Sequence, residues 1–338
     1  MVRASLLPIT MVRAMRSTGT TSWRPIEAKD VPACAVLLAA IEEVDQTGDV
    51  FGEEDLLETF RDPGRDYPRG SMAVRDGDVL IGYSCLSASG SADQVHQMSQ
   101  FGGVHPACRG KGIGGRLLEW AELAAVPLHV ERYPDLPLSL SGWCPAGDSA
   151  ASSLYASRGF RPARWFHVMA ADLTAAGAGE PVPAGVQVVP FTEELAEVAR
   201  LVRNEAFGDH AQADQVTPDE WAHFLSYNAF RSAFSYLAYG GAEPLAVLIG
   251  REYDAYTELT GILDLYIAVV ATRSSARNRG VASALLSRAL ADARAAGFTA
   301  ASLTVNADSP TAAFGLFQRA GFAIKATSVM QVKDLDVR

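Results

Sequence analysis

The sequence predicts an α/β protein in which one strand-and-helix unit is built twice. Three observations lead there. The chain is 338 residues long, an ordered series of strand and helix patterns recurs in each half, and each half carries one basic, small-residue turn between a strand and a helix. At roughly 150 residues per domain, that length suits two domains. A composition of 49% hydrophobic and 20% charged residues, with mean hydropathy +0.07, is that of a globular chain. It excludes a disordered, collagenous or coiled-coil protein.

The elements follow in order. Each half opens with a short strand, at 22–25 and 186–190, and then a helix with apolar stripes, at 31–44 and 193–207. Pairs of strands come next, at 71–75 and 79–86 and again at 234–239 and 244–250, separated by glycine-containing turns that make meanders of them. A longer strand, at 97–104 or 262–270, runs into the basic turn and then a helix. Ile113, Leu117, Trp120 and Ala124 share one face of the first such helix, and Val281, Leu285, Ala289 and Ala293 share one face of the second. After another strand, at 138–141 or 301–305, each half closes with a short helix ending in Gly159-Phe160 or Gly321-Phe322. The Pro/Gly-rich segment 174–185 reads as a linker. The expected organisation is therefore a flexible leader at 1–21, an N-terminal domain at 22–173, the linker, and a C-terminal domain at 186–338.

Charge and cysteine usage narrow the function. Twenty-nine Lys and Arg against 39 Asp and Glu give a net charge of −10, so a broad nucleic-acid footprint is not expected and any basic site is local. Cys34, Cys85, Cys108 and Cys144 show no C-x-x-C spacing, and the six histidines form no H-E-x-x-H pattern. Neither a disulfide scaffold nor a metal site is expected, and a reducing cytoplasm suits the cysteines. No apolar run reaches the ~18 residues of a membrane helix.

The chemistry lies in the repeated turn. In the first half it comprises Arg109, Gly110, Lys111, Gly112, Ile113, Gly114 and Gly115, and in the second Arg277, Asn278, Arg279, Gly280, Val281 and Ala282. Both read R-x-x-G-x-(G/A) at the start of an amphipathic helix, so free backbone N–H groups converge on an anion, and the basic side chains add charge. A pyrophosphate is the natural guest. The first copy also matches G-x-G-x-x-G, but the second does not, and five residues separate strand from glycines where a dinucleotide fold needs a tight turn. A Walker A loop is excluded because Gly110-Lys111 is followed by Gly112 instead of Ser or Thr.

These turns, each with a later Leu-aromatic and Gly-Phe ending (Leu154-Tyr155 to Phe160; Leu316-Phe317 to Phe322), resemble the GNAT acyltransferases. Two such units in one chain resemble the tandem GNAT subfamily that includes mycothiol synthase. Length and richness in Ala, Arg and Gly also resemble the tandem acetyltransferases of clavulanic acid gene clusters, a resemblance that implies a role in secondary metabolism and antibiotic biosynthesis. The resemblance implies a mixed, mostly antiparallel sheet flanked by helices in each unit, splayed at its fourth strand. It implies acetyl-CoA or another acyl-CoA as substrate and possible structural ligand. Backbone around Gly103 and Val104 and at Val269 and Val270 would take the acyl-pantetheine arm. It implies a catalytic C-terminal domain, an N-terminal domain that holds CoA structurally, and Tyr155 near the CoA sulfur.

Acyl transfer to an amine needs a base for the ammonium proton and amides to polarise the thioester carbonyl. Asp264 and Tyr266 alternate with Leu263, Leu265 and Ile267, which puts both polar groups on one face of the pantetheine-facing strand. The first half offers His96, Gln97, Ser99 and Gln100 there but no carboxylate. Conversely Tyr155 has Phe317 as its counterpart, which cannot donate a proton. Tyr227, His223 and Tyr253 are further candidates for an acceptor pocket. Two readings follow: an acyl-CoA-dependent acyltransferase acting on an amine or hydroxyl of a small molecule, with Asp264, Tyr266 and Tyr155 as catalytic candidates, or a non-catalytic acyl-CoA sensor. The expected partner is a small-molecule acceptor, with no nucleic acid, membrane or metal, for a monomer or homodimer.

Overall fold

The computed structural model describes residues 21–62, 64–88, 91–92, 94–175, 179–208, 215–307 and 313–337. The expected leader lies almost wholly outside the described residues. The first half contains β1 (Thr21–Arg24), α1 (Val31–Asp45), α2 (Glu53–Phe60), α3 (Tyr67–Gly70), β2 (Ser71–Asp76), β3 (Val79–Ala88), β4 (His96–Val104), α4 (Ile113–Arg132), β5 (Leu138–Pro145), α5 (Ser149–Ser157) and β6 (Arg161–Asp172). The second repeats the order with β7 (Val186–Pro190), α6 (Ala196–Phe207), α7 (Pro218–Ser226), β8 (Phe230–Gly240), β9 (Glu243–Arg251), α8 (Asp254–Thr260), β10 (Asp264–Thr272), α9 (Val281–Ala295), β11 (Ala300–Asn306), α10 (Ala313–Arg319) and β12 (Ala323–Leu335).

Local chemistry explains several boundaries. Asp148 accepts from the N–H groups of Ala150 and Ala151 and so starts α5, while Thr217 and Glu220 form a capping box at α7. Pro32 lies in the first turn of α1, where its missing N–H costs no helical hydrogen bond.

Among the described residues, twelve strands join one sheet in the order β1-β2-β3-β4-β5-β12-β6-β11-β10-β9-β8-β7. Among these pairings only β4/β5 and β10/β11 are parallel. The order contains an exchange that the repeat did not reveal. The last strand of each half crosses the boundary: β12 lies between β5 and β6, and β6 lies between β12 and β11. The cores follow the same exchange. Met169, Ala171 and Leu173, at the end of the first half, pack with Leu265, Leu285 and Leu303 of the second. Val329, in β12, packs with Met98, Leu118 and Leu140 of the first.

Helices cover both faces. α4 and α9 pack on one face through Leu118 and Ala121 or Leu285 and Ala289, and α1 and α6 pack on the other through Cys34 and Leu37 or Ala199 and Val202. Neighbouring residues of β8 show the alternation, since Tyr236 and Ala238 join the α9 core while Leu237 joins the α6 core. The four cysteines are free thiols, all buried.

Candidate active site

Each half opens its sheet at the parallel pair. β4 and β5 are in register only from His96↔Leu138 to Ser99↔Ser141, and β10 and β11 only from Asp264↔Ala300 to Tyr266↔Ser302. Beyond these points the strands part, which leaves a V-shaped cleft beside Gln100–Val104 or Ile267–Thr272. This is the splay expected at the fourth strand.

The turns after β4 and β10 have the same backbone. A single 3₁₀ turn, Pro106–Cys108 or Ser274–Ala276, leads to a left-handed residue, then to a left-handed glycine that caps the helix. The first left-handed position is Gly110 at φ 74° or Asn278 at φ 58°, and the second is Gly112 at φ 80° or Gly280 at φ 79°. Asparagine tolerates that region better than most side chains, which is how the second copy keeps the turn with fewer glycines. Arg116 and Ala284 donate the first α-helical bonds, to Gly112 and Gly280. The N–H groups of Ile113, Gly114 and Gly115, and of Val281, Ala282 and Ser283, therefore lack helical acceptors and suit an anion.

The leading arginines act differently from the sequence expectation. Arg109 donates from Nε to the Val104 carbonyl and forms a bidentate pair with Asp45 at 2.7 Å through both terminal nitrogens. Arg277 donates to the Thr272 carbonyl and, at 2.7 Å, to the Ala206 carbonyl in the last turn of α6. In both halves this guanidinium ties the end of the splayed strand to the end of the first long helix. Lys111 and Arg279 are exposed on the turns.

The two clefts differ in their chemistry. In the second, Asp264 and Tyr266 are half-buried on one strand face while Leu265 and Ile267 are buried on the other, as the alternation predicted. Asp264 accepts a 2.5 Å hydrogen bond from the Ser302 hydroxyl. Burial raises its pKa, and the Ser302 bond opposes that only in part. Tyr266 packs edge-on to Tyr253 at 5.9 Å, and burial raises its hydroxyl. Tyr256 is raised by burial and then by the charges of Asp264 and of Glu42, which brings α1 of the first half to this site.

The pairing of β10 with β9 slips between Ile267 and Val269, so Ala268 is a bulge residue. A bulge leaves backbone groups out of the ladder and re-aims them. No such slip interrupts β4, whose pairing with β3 runs unbroken from Met98 to Val104.

In the first cleft, Tyr155 is 8% exposed, and its hydroxyl donates to Gln100 at 3.1 Å between the parting strands. Gln100 in turn donates to Ser84. Burial pushes the Tyr155 hydroxyl well above its ordinary range. Phe317 occupies the equivalent niche: Tyr155 meets Phe160, and Phe317 meets Phe322, at the same 64° interplanar angle. His96 does not face the cleft. It is fully buried against His129, with 2.9 Å between their Nδ1 atoms, and burial lowers it to about 4.

A cavity of about 400 Å³ reaches β10 at Ala268 and Val269. His223 and Tyr227 line it, as do Asp62, Ser87 and Ala88 from the first half; Tyr253 is not among its lining residues. The contribution of the first half had no signal in the sequence. Among the described residues, no group of three or more His, Cys, Asp or Glu could hold a metal ion. No helix among them is long and apolar enough to cross a membrane.

A paired-then-parting parallel strand couple followed by a glycine-capped helix, present twice, defines the class. Two family models agree with it. One described as an acetyltransferase (GNAT) domain matches residues 68–162, and one described as the acetyltransferase (GNAT) family matches residues 195–322. The chain belongs to the GNAT acetyltransferases and carries two such domains in tandem.

Among individual proteins, it is similar to the mycothiol acetyltransferase of Parafrankia sp. (strain EAN1pec), at 28% identity over 91% of this chain and 96% of the relative. It is equally similar to the one named so in Thermobispora bispora, at 28% over 90% and 98%. Among solved structures, a GCN5-related N-acetyltransferase from Sphaerobacter thermophilus superposes with a TM-score of 0.74 at 26% identity, covering 93% of this chain and 95% of that one. The tandem GNAT protein of the clavulanic acid biosynthesis pathway shares the fold, with a TM-score of 0.69 at 17% identity over 93% and 98%.

Proposed function

We propose that the chain transfers an acetyl group from acetyl-CoA to the amine of a small molecule, and that the C-terminal half performs the reaction. The observation that carries this reading is the bulge at Ala268, four residues after Asp264 and beside the cavity. A backbone amide released from the ladder there is suited to polarise the thioester carbonyl. Asp264 receives the proton of the attacking ammonium, directly or through water. Burial raises its pKa, which strengthens it as a base in its ionised form. Nitrogen bonds to the carbonyl carbon, the C–S bond breaks, and the departing thiolate is protonated by water or by Tyr266. Phe317 supplies no proton, a loss that slows the reaction without blocking it.

The N-terminal half is the structural CoA holder in this reading. Three differences support that role: the unbroken ladder of β4, the absence of a carboxylate on its cleft face, and the enclosure of Tyr155 against Gln100. The glycines at 112, 114 and 115 suit tight approach to phosphate. The protein is read as a cytoplasmic monomer or homodimer. Its relatives are named mycothiol acetyltransferases, and one structural neighbour is described as coming from the clavulanic acid biosynthesis pathway; these names supply starting points for acceptor screening.

Release of CoA thiol in the presence of an amine panel tests the reading. Amine-dependent release that survives Lys111→Glu but not Arg279→Glu is expected. Binding of acyl-CoA without release for any amine would favour the sensor reading.

A further inference from the structure

The Asp264 carboxylate is held at one oxygen and open at the other. Ser302 donates to Oδ2 at 2.5 Å, and no other described residue donates to this side chain. Oδ1 has no such partner and, unlike the orphaned ring nitrogens of His96 and Trp143, is not shut off from solvent. A carboxylate turns easily about its last side-chain bond, whose torsion has broad minima, so a bond to one oxygen fixes where the other points. Ser302 is well placed to impose that orientation. At this residue β11 is paired on both sides, with Tyr266 of β10 and with Ala170 of β6, and Tyr266↔Ser302 is the last paired position before β10 and β11 part. The serine thus anchors the carboxylate from the strand across the opening.

The first half shows what a serine does at that position without a carboxylate. Its last paired position is Ser99↔Ser141, and there the two hydroxyls bond each other at 3.0 Å. Ser141 ties strand to strand, whereas Ser302 is committed to Asp264. The Ser302 hydroxyl favours the ionised carboxyl, against the burial that disfavours it. The other titratable groups around Asp264 are Tyr266 on β10 and Tyr256 on α8, both raised and so protonated throughout the acid range. Glu42 of α1 reaches Tyr256 and is held by Thr47 and Gly48.

We infer that Ser302 is a positioning residue for the acyl transfer: by holding Oδ2 it aims Oδ1 of Asp264 at the attacking amine and makes that oxygen the one that receives the ammonium proton. The proton passes from nitrogen to Oδ1, the freed lone pair attacks the thioester carbon, and the Ser302 hydroxyl keeps its own proton throughout. The inference rests on the acetyltransferase reading, but its first test needs no turnover.

Full-length protein labelled with ¹³C at its aspartate carboxyls is titrated by NMR, the Asp264 signal being the one that Asp264→Asn lacks. Its midpoint should move to higher pH in Ser302→Ala and return in Ser302→Thr, which keeps the hydroxyl. A midpoint that stays put or falls in Ser302→Ala would overturn the inference. Turnover is then followed as CoA release from acetyl-CoA with ethanolamine, glucosamine and tyramine. Ser302→Ala should lower kcat about tenfold, as expected of a misaimed group, with KM for acetyl-CoA unchanged and the acid limb of the pH profile moved upward. In the Asp264→Asn background the same change should cost nothing further, because Ser302 acts through that carboxylate. An equal loss in both backgrounds marks a merely structural serine and overturns the inference. Release that Asp264→Asn abolishes and Ser302→Ala leaves untouched overturns it alone, whereas release that Asp264→Asn leaves intact overturns the reading beneath it as well.

Discussion

Replacing Asp264 with Asn separates chemistry from scaffold. The carboxamide has nearly the same shape, and its oxygen still accepts from the Ser302 hydroxyl, so the local geometry has little reason to change. What disappears is the proton acceptor. General base catalysis is worth roughly 10²–10⁴-fold, or about 2.7–5.4 kcal/mol at about 1.4 kcal/mol per decade. Turnover should fall by that factor while acetyl-CoA affinity stays nearly constant. Stability should move the other way. The folded pKa of Asp264 lies above its ordinary value, mainly through burial, so the folded state holds this proton more tightly than the unfolded state does. Its contribution to stability is full below the unfolded pKa and is lost as pH rises through the folded one. Above the unfolded pKa the wild type therefore bears a stability penalty from this carboxyl that the Asn variant lacks. Thermal unfolding followed by circular dichroism should show Asp264→Asn melting above wild type at pH 7, with the difference shrinking toward pH 4. A variant that keeps a third or more of wild-type turnover, or melts lower at neutral pH, would refute the assignment of Asp264 as an ionised base.

Other outcomes follow from the same geometry. Lys111→Glu should remove one of two bound acyl-CoA molecules in native mass spectrometry. It should also reduce the ligand-induced rise in melting temperature, by the contribution of one site, about 2.7 kcal/mol at 100 times its Kd. Tyr155→Phe, which deletes the bond to Gln100, should cost about 0.5–1.5 kcal/mol in denaturant unfolding and leave turnover nearly unchanged. Gly142→Ala should be far more damaging than its size suggests, because a Cβ there would meet the Tyr155 hydroxyl and ring head-on; a melting curve like that of wild type would show that the ring moves aside freely. Either half expressed alone, at 22–185 or 174–338, should fail to give a cooperative transition, and co-expression should restore it, because each sheet lacks a strand held by the other half.

Much of this was legible before any coordinates. The repeated order and the R-x-x-G-x-(G/A) motifs located the two glycine-capped turns, and the period-two pattern from Leu263 to Ile267 put Asp264 and Tyr266 on one face. Composition could not show which atom an arginine meets, so the anchoring of Arg109 by Asp45 and of Arg277 by the Ala206 carbonyl emerged only in three dimensions. β6 and β12 escaped notice for a different reason. They follow the Gly-Phe endings that appeared to close each unit, and strand patterns say nothing about which sheet a strand enters. The bulge at Ala268 was equally silent, since a bulge is a relation between two strands. The walls contributed by Asp62, Ser87 and Ala88 depend on how the halves meet, and no local pattern encodes that.

The exchange of final strands also sets a timetable for synthesis. Leu138 in β5 must wait for Leu335, about 200 residues later and near the end of the chain, before its hydrogen-bonding edge is covered. Until the last strand leaves the ribosome, β5 presents an open edge, and such edges recruit other chains. Pairings so distant in sequence also slow folding. Production of this protein should therefore be limited by what happens to nascent chains between the two halves, and slower growth at lower temperature or an added chaperone that shields nascent chains should raise its yield more than any stabilising change in the finished fold.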